Sequence, residues 1–173
     1  LKKLSFVESV GFAQKAVGSG DEYMGWGRGS DSHQISLQVV PCDYEYLRTM
    51  GLKITEGRDF RESDSKTGAY VLNKTAMEQY NWLVVGDSIG RQNDWGSMSN
   101  YLIVGVCNNF KLKSMRKDNS RIAVAFIVMG PDMEQWGDRC SQIFVRVAKN
   151  QDKIAAKRRI AEVLNKIDGS EKY

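Results

Sequence analysis

Eighteen residues, Asp43 to Phe60 (DYEYLRTMGLKITEGRDF), constrain this chain most, because they hold three backbone instructions in a fixed order. Asp43 reads as an N-cap, and Tyr44, Leu47 and Met50 recur at three-residue spacing to give one apolar helical face. Gly51 then supplies a stop. Leu52 and Ile54 alternate with Lys53 and Thr55 as in a half-buried strand, and Glu56-Gly57-Arg58-Asp59 has the composition of a turn. Phe60 anchors that turn into apolar packing. The unit is a helix, a strand and a turn, and it contains no nucleophile.

The rest of the chain repeats the same alternation of elements. Phe6 to Val10 reads as a short strand, Gly18 to Gly29 as a Gly-rich loop, and His33 to Pro41 as a strand with Ile35, Leu37 and Val39 on one face. A helix is expected near Asn73 to Tyr80. Ile122 to Val128 is apolar throughout, as in a central strand, whereas Ile143, Val145 and Val147 alternate with Gln142 and Arg146, as in a sheet with one wet face. The last helix carries Ile154, Ile160, Val163, Leu164 and Ile167 on one side and is expected to cover a sheet. This pattern predicts an α+β fold. Coil-rich joints at Glu62–Gly68 and Lys117–Arg121 suggest one subdomain built from residues 1–58 and 121–173, with residues 59–120 inserted as a small, mostly β subdomain. The joints, with the turn Gly57, Arg58, Asp59 and Phe60, are the hinge candidates.

A chain of 173 residues with 42% hydrophobic and 27% charged residues has room for one sizeable core. The longest apolar run, Ile122 to Met129, falls well short of the roughly 20 residues that cross a bilayer as a helix. The opening LKKLSFVESVGF has no continuous apolar region of signal-peptide kind. Cys42, Cys107 and Cys140 are too dispersed for a zinc knuckle, and the simplest reading is three thiols acting as small hydrophobes. Whether any two of them pair is left open. The net charge of +4 lies partly in the last helix, at Lys149, Lys153, Lys157, Arg158, Arg159 and Lys166. No aromatics interleave with these residues to stack bases, so the pattern excludes a nucleic-acid groove and suits a solvated helix face, or weak attraction to an acidic lipid surface or partner.

Few residues here could do chemistry. His33 is the single histidine, so neither a Ser-His-Asp site with a spare ligand nor a histidine-based zinc site is available. Ser97 and Ser99 lie in a polar loop without a nucleophile elbow. The run GSGDEYMGWGRGS lacks the Walker lysine and a following apolar-periodic helix, so it reads as a loop and not a phosphate cradle. Trp26 within it, and Trp136 in the loop Gly130–Asp138, are candidate partner contacts. Glu56, Asp59, Glu62 and Asp64 form an acidic cluster without calcium-loop spacing. Used catalytically, they would make the chain a soluble hydrolase and would line a pocket with a raised pKa. A small-ligand sensor would instead show an enclosed apolar pocket between subdomains. The bland reading is that Arg58 and Asp59 bond locally and the other carboxylates are solvated.

Four motifs in order resemble a known family. They are the Asp43–Phe60 unit, Tyr70 to Met77 (YVLNKTAM), Gly86 to Arg91 (GDSIGR), and Tyr101 to Leu112 (YLIVGVCNNFKL) continued by Ser114-Met115-Arg116. Together they are similar to the periplasmic core domain of MacB/FtsX-type ABC transporter permeases. The chain departs from that pattern at Asn109 and Lys111, where an acidic and a histidine-like residue are usual, and at Cys107, where valine is. The resemblance implies a porter-like lobe of strand and helix units formed from both chain ends, with a smaller lobe inserted. It implies a non-catalytic extracytoplasmic domain, with no cofactor, that relays ATP-driven motion. Localisation would be the periplasmic side of the cytoplasmic membrane, with flanking membrane helices outside this sequence. Implied partners are an ABC ATPase reached through the membrane region, a periplasmic adaptor, a lipoprotein, peptide or cell-wall hydrolase, and a second copy in a homodimer. Cargo and direction of transport are not legible.

Overall fold

The computed structural model describes residues 1–14, 24–29, 34–92, 98–110, 122–128 and 142–169. Their elements in chain order are β1 (Val7–Ala13), β2 (Met24–Gly29), β3 (Gln34–Pro41), α1 (Tyr46–Met50), β4 (Ile54–Gly57), α2 (Asp64–Thr67), β5 (Ala69–Asn73), α3 (Lys74–Gln79), β6 (Ser88–Gln92), β7 (Met98–Cys107), β8 (Val124–Val128), β9 (Gln142–Val147) and α4 (Lys153–Asp168). Strands dominate, and the class is α+β. Part of the expected Gly-rich loop is a strand: β2 pairs antiparallel with β3, setting Gly25 and Gly27 opposite Leu37 and Ile35.

Among the described residues seven strands form one mixed sheet in the order β4-β7-β5-β8-β3-β2-β6, and β6 also pairs with β7. The second pairing closes six strands into a ring, with β4 outside it on β7. The closure is possible because β7 is long: Met98–Leu102 pairs with β6, while Cys107, Val106 and Gly105 pair with β4 further along. Every residue of β5 and β8 is buried. Alternate residues of β8 face different cores, Ala125 and Ile127 one and Val124, Phe126 and Val128 the other. A strand covered on both faces needs the near-continuous apolar run that the sequence shows there.

The first core also takes Ile35, Leu37 and Val39, the face expected of β3, with Ala76 from α3. Asn73 holds that helix in place. Its Oδ1 accepts from the Ala76 N–H at 3.0 Å and the Val124 N–H at 2.9 Å, while its Nδ2 donates to the Ile122 carbonyl. One side chain thus caps α3 and ties it to β8. β5 and α3 lie where the YVLNKTAM motif places strand and helix start.

The sheet runs across both expected subdomain boundaries. β5 and β7, from the segment 59–120, bond directly to β8 and β4 from the outer pieces. The segment is mostly β but is woven into the sheet, because parallel and antiparallel ladders satisfy its backbone groups there. What stands apart is a two-stranded antiparallel ribbon of β1 and β9. The terminal helix also differs from expectation. Ala156 is buried, but Ile154 and Ile167 are 83% and 76% exposed. Asp152 caps the helix through the Ile154 and Ala155 N–H groups, and at 3.6 residues per turn this start sets Ile154 nearly opposite Ala156.

Candidate functional site

Two joints connect the parts of this molecule, and the opening motif supplies one side of each. At the first, the helix α1 receives the ribbon. Gly11 of β1 lies so close to it that a Cβ there would stand 2.8 Å from the Tyr46 Cα and 3.2 Å from the Thr49 Oγ1. Only glycine allows that approach. Across the ribbon, Phe144 meets the Tyr46 ring edge-on with centroids 5.0 Å apart, and Arg146 Nε donates to the Thr49 carbonyl at 2.8 Å. That guanidinium sits over the C-terminal turn of α1, where cations are favoured. Gly51 ends the helix in a left-handed conformation, φ 74.

Arg146 therefore faces the helix and not water, contrary to the wet face expected for it. Asp43 is also reassigned. No side chain caps α1; instead, Asp43 Oδ1 accepts from the Phe12 N–H at 3.0 Å, and the Asp43 N–H donates to the Phe12 carbonyl. It clamps β1 to the start of the motif. Burial raises its pKa, and the Phe12 and Glu45 N–H groups offset only part of that.

The same joint is under-bonded. Ser9 Oγ, Gln14 Oε1, Tyr46 OH and Thr49 Oγ1 are buried and lack hydrogen-bond partners among the described residues. All four come from β1, the residue after it, or α1. Buried polar atoms are normally satisfied, and each that is not costs about 1–3 kcal/mol. Their concentration between two elements makes this contact weaker than its close packing suggests.

The second joint is the turn after β4. Gly57 has φ 68, and a Cβ there would stand 2.5 Å from the Val104 carbonyl oxygen. The Arg58 backbone passes over Gly105 so closely that a Cβ on Gly105 would meet the Arg58 carbonyl oxygen. Arg58 then closes the turn by pairing two-pronged with Asp64, Nη1 to Oδ2 at 2.7 Å and Nη2 to Oδ1 at 2.9 Å. Asp64 also accepts from the Arg61 N–H. Burial opposes its ionisation, but the Arg58 and Arg61 hydrogen bonds and charges outweigh it, so its pKa is lowered. Asp59 is shifted the other way. Burial raises its pKa more than the Phe60 N–H and the Arg48 charge lower it. Phe60 is buried in the second core, as expected of an anchor.

The acidic residues do not converge on a cleft. Glu56 and Glu62 are exposed, and Asp64 is committed to Arg58. Glu56 borders a surface groove with Lys74 and Glu78, lined also by Thr55, Met77 and Val106 and shared by none of the other three. Cys42 and Cys107 are buried thiols, and burial pushes Cys107 up to about 12, far from reactive at neutral pH. Among the described residues no His, Cys, Asp or Glu cluster is arranged for a metal. Trp136, His33, Ser97, Cys140, the loop 130–138 and the joint 117–121 lie outside the described residues. Trp26 stands in β2 opposite Ser36, its side chain outside them. Sequence reasoning missed Ser9, Gly11, Gly105 and Arg146. Gly11, isolated between apolar residues, was the one readable signal of close backbone approach.

The chain is a strand-rich α+β body with a docked terminal ribbon, and no helix among the described residues is long and apolar enough to cross a membrane. The MacB-like periplasmic core domain family matches residues 3–163. The chain belongs to that family, the extracytoplasmic domains of MacB-like ABC transporter permeases. The periplasmic region of MacB from Actinobacillus actinomycetemcomitans superposes with TM-score 0.69 at 16% identity, covering 98% of this chain and 72% of that one. The extracellular domain of the noncanonic ABC-type transporter YknZ from Gram-positive bacteria gives 0.64 at 15%, covering 98% and 80%. A domain of a putative permease protein from Porphyromonas gingivalis gives 0.59 at 11%, covering 95% and 72%. Likenesses at such identity speak to fold alone. No curated protein matches the chain at a significant level.

Proposed function

We propose that this domain is a non-catalytic relay on the outer side of the cytoplasmic membrane, passing ATP-driven displacement from the permease's membrane segments to cargo or periplasmic partners. One observation carries the reading: the ribbon is a sheet of its own, joined to the main sheet through α1 and a bridge from Ala13 to Cys42, and the β1 and α1 segments that meet there carry four buried polar atoms without hydrogen-bond partners among the described residues. A relay needs stiff bodies and a contact that changes state at modest cost. The ribbon and the ring supply the bodies. The β1/α1 contact is the moving joint, and the Gly57–Phe60 turn is the fixed pivot beside it.

In this reading the ATPase acts through the membrane region. Trp26 and Trp136 are the proposed contacts for an adaptor, lipoprotein, peptide or cell-wall hydrolase, and a second copy completes a homodimer. The decisive measurement is hydrogen exchange on the full permease with its ATPase, with nucleotide absent and with ATP trapped. Nucleotide should change protection at residues 7–14, 43–51 and 142–147. The double change Ser9→Ala with Thr49→Val, which removes two unbonded hydroxyls, should stabilise the isolated chain by about 1–2 kcal/mol and shrink that change. Exchange at those residues that ignores nucleotide state would sink the relay.

A further inference from the structure

The positive charge of this chain is concentrated at one end. Residues 1–8 and 148–162 carry seven basic and three acidic residues, against 25 and 21 in the whole chain, so the remainder holds 18 of each sign and is neutral. The fold brings the two segments together. Val7 pairs with Val147, and the Ala148 N–H donates to the Phe6 carbonyl at 3.0 Å. Phe6 then lies against α4, where it lines an open cleft of about 390 Å³ with Ala155, Ala156, Arg158 and Arg159.

The acidic groups at this end are largely committed. Asp152 caps α4, and Glu162 pairs with Arg159 at 2.7 Å. Lys3, Lys149, Lys153, Lys157 and Arg158 are exposed, and no ion pair ties them to another of the described residues. Ile154, 83% exposed, stands among them on the first turns of the helix. Basic side chains around a protruding aliphatic one are complementary to a surface that is anionic outside and apolar beneath.

We propose that this end of the domain docks on the anionic lipid surface of the membrane that carries the permease, through Lys153, Ile154, Lys157 and Arg158 with Lys3 and Lys149 alongside. A bilayer is the occupant because the chain belongs to a family of permease ectodomains, which share a membrane with anionic lipid, and because exposed basic residues around an exposed aliphatic side chain complement such a surface. Each basic residue near such a surface contributes roughly fivefold to partitioning at low salt, and the attraction falls off within a Debye length of about 10 Å at 0.1 M salt. The docking fixes the attitude of the domain over the membrane and does not depend on the relay.

The test is co-sedimentation of the chain with vesicles of phosphatidylglycerol and phosphatidylcholine, or of phosphatidylcholine alone. Binding is expected on the first and not the second, weakening at least about tenfold between roughly 50 and 500 mM salt and unaffected by millimolar inorganic phosphate. The triple change Lys153→Glu, Lys157→Glu, Arg158→Glu should abolish it. A control triple of equal charge change, Lys53→Glu, Arg61→Glu, Lys66→Glu, should keep most of it, with circular dichroism confirming that both variants fold. Equal loss in the two triples would reduce the effect to net charge and overturn the assigned face, and equal binding to neutral vesicles, or none to anionic ones, would overturn the docking itself.

Discussion

Asp59, in the turn after β4, and Asp64, five positions on at the start of α2, respond to pH in opposite senses, because the partners of each differ. Asp64, with its folded pKa lowered by Arg58 and Arg61 over the opposition of burial, contributes stability that is fully present above its unfolded value of about 3.9. That contribution is lost as pH falls through the folded pKa. Asp59, raised by burial, binds its proton more readily when folded, so it favours the fold as pH falls through its folded pKa toward the unfolded value. Asp64→Asn should therefore cost about 2 kcal/mol at pH 7 and flatten the acid limb of a stability–pH curve. Asp59→Asn keeps an acceptor for the Phe60 N–H and should be neutral or stabilising at pH 7. Urea melts of both variants from pH 3 to 7 check the pair, and identical curves would contradict the assignment. Local bonding by Asp59 is legible in the sequence and is what the residue does, but the partner of Arg58 is not. Spacing along a turn cannot show which carboxylate a guanidinium will reach.

At the scale of elements, glycines of unequal kind stand near the point where the chain, leaving β4, crosses over β7. Gly105 faces the Arg58 carbonyl oxygen, a backbone atom that cannot swing aside, whereas a Cβ on Gly86, at φ 103, would have nothing within 4 Å. Gly105→Ala should cost about 3 kcal/mol by thermal or urea melts. Gly86→Ala carries only its conformational term, about 1–2 kcal/mol, and the reverse order would argue against the crossing as the tight point. The elements themselves were largely legible. β3 and β8 fall where alternation and the continuous apolar run place them, since those signals are local, and β5 and α3 fall where the resemblance of YVLNKTAM places them. Less legible was what each element touches. The alternation in β9 suits a sheet with one wet face, yet among the described residues the strand pairs only with β1. Similarly, α4 leaves Ile154 and Ile167 of its apolar stripe in solvent, because a stripe shows that a face is apolar and not that another element reaches all of it.

For the whole molecule, the continuity of the sheet predicts how it unfolds. β5 and β7 lie between β4 and β8, so residues 59–120 cannot melt without stripping the central strands of both cores. Denaturant transitions followed by tryptophan fluorescence and by far-UV circular dichroism should coincide for the ring. Two separated transitions, with the first confined to residues 59–120, would instead show an independent inserted subdomain. The ribbon is the part expected to exchange earlier, because its contact with α1 carries the unbonded polar atoms.

The opening motif shows where sequence stops being sufficient. By itself the sequence determined a short helix after Asp43, its halt at Gly51, a strand and a glycine-dependent turn, and, through four ordered motifs, the family. Those outcomes depend on dihedral preferences and on periodicities spanning a few residues. Only the tertiary structure decided that Asp43 would clamp β1 instead of capping its helix, that Arg58 would close on Asp64, that β6 would return to β7, and that the ribbon would dock through Gly11. Each of these joins residues whose meeting depends on how separate elements settle against one another, and that depends on the packing of the whole chain.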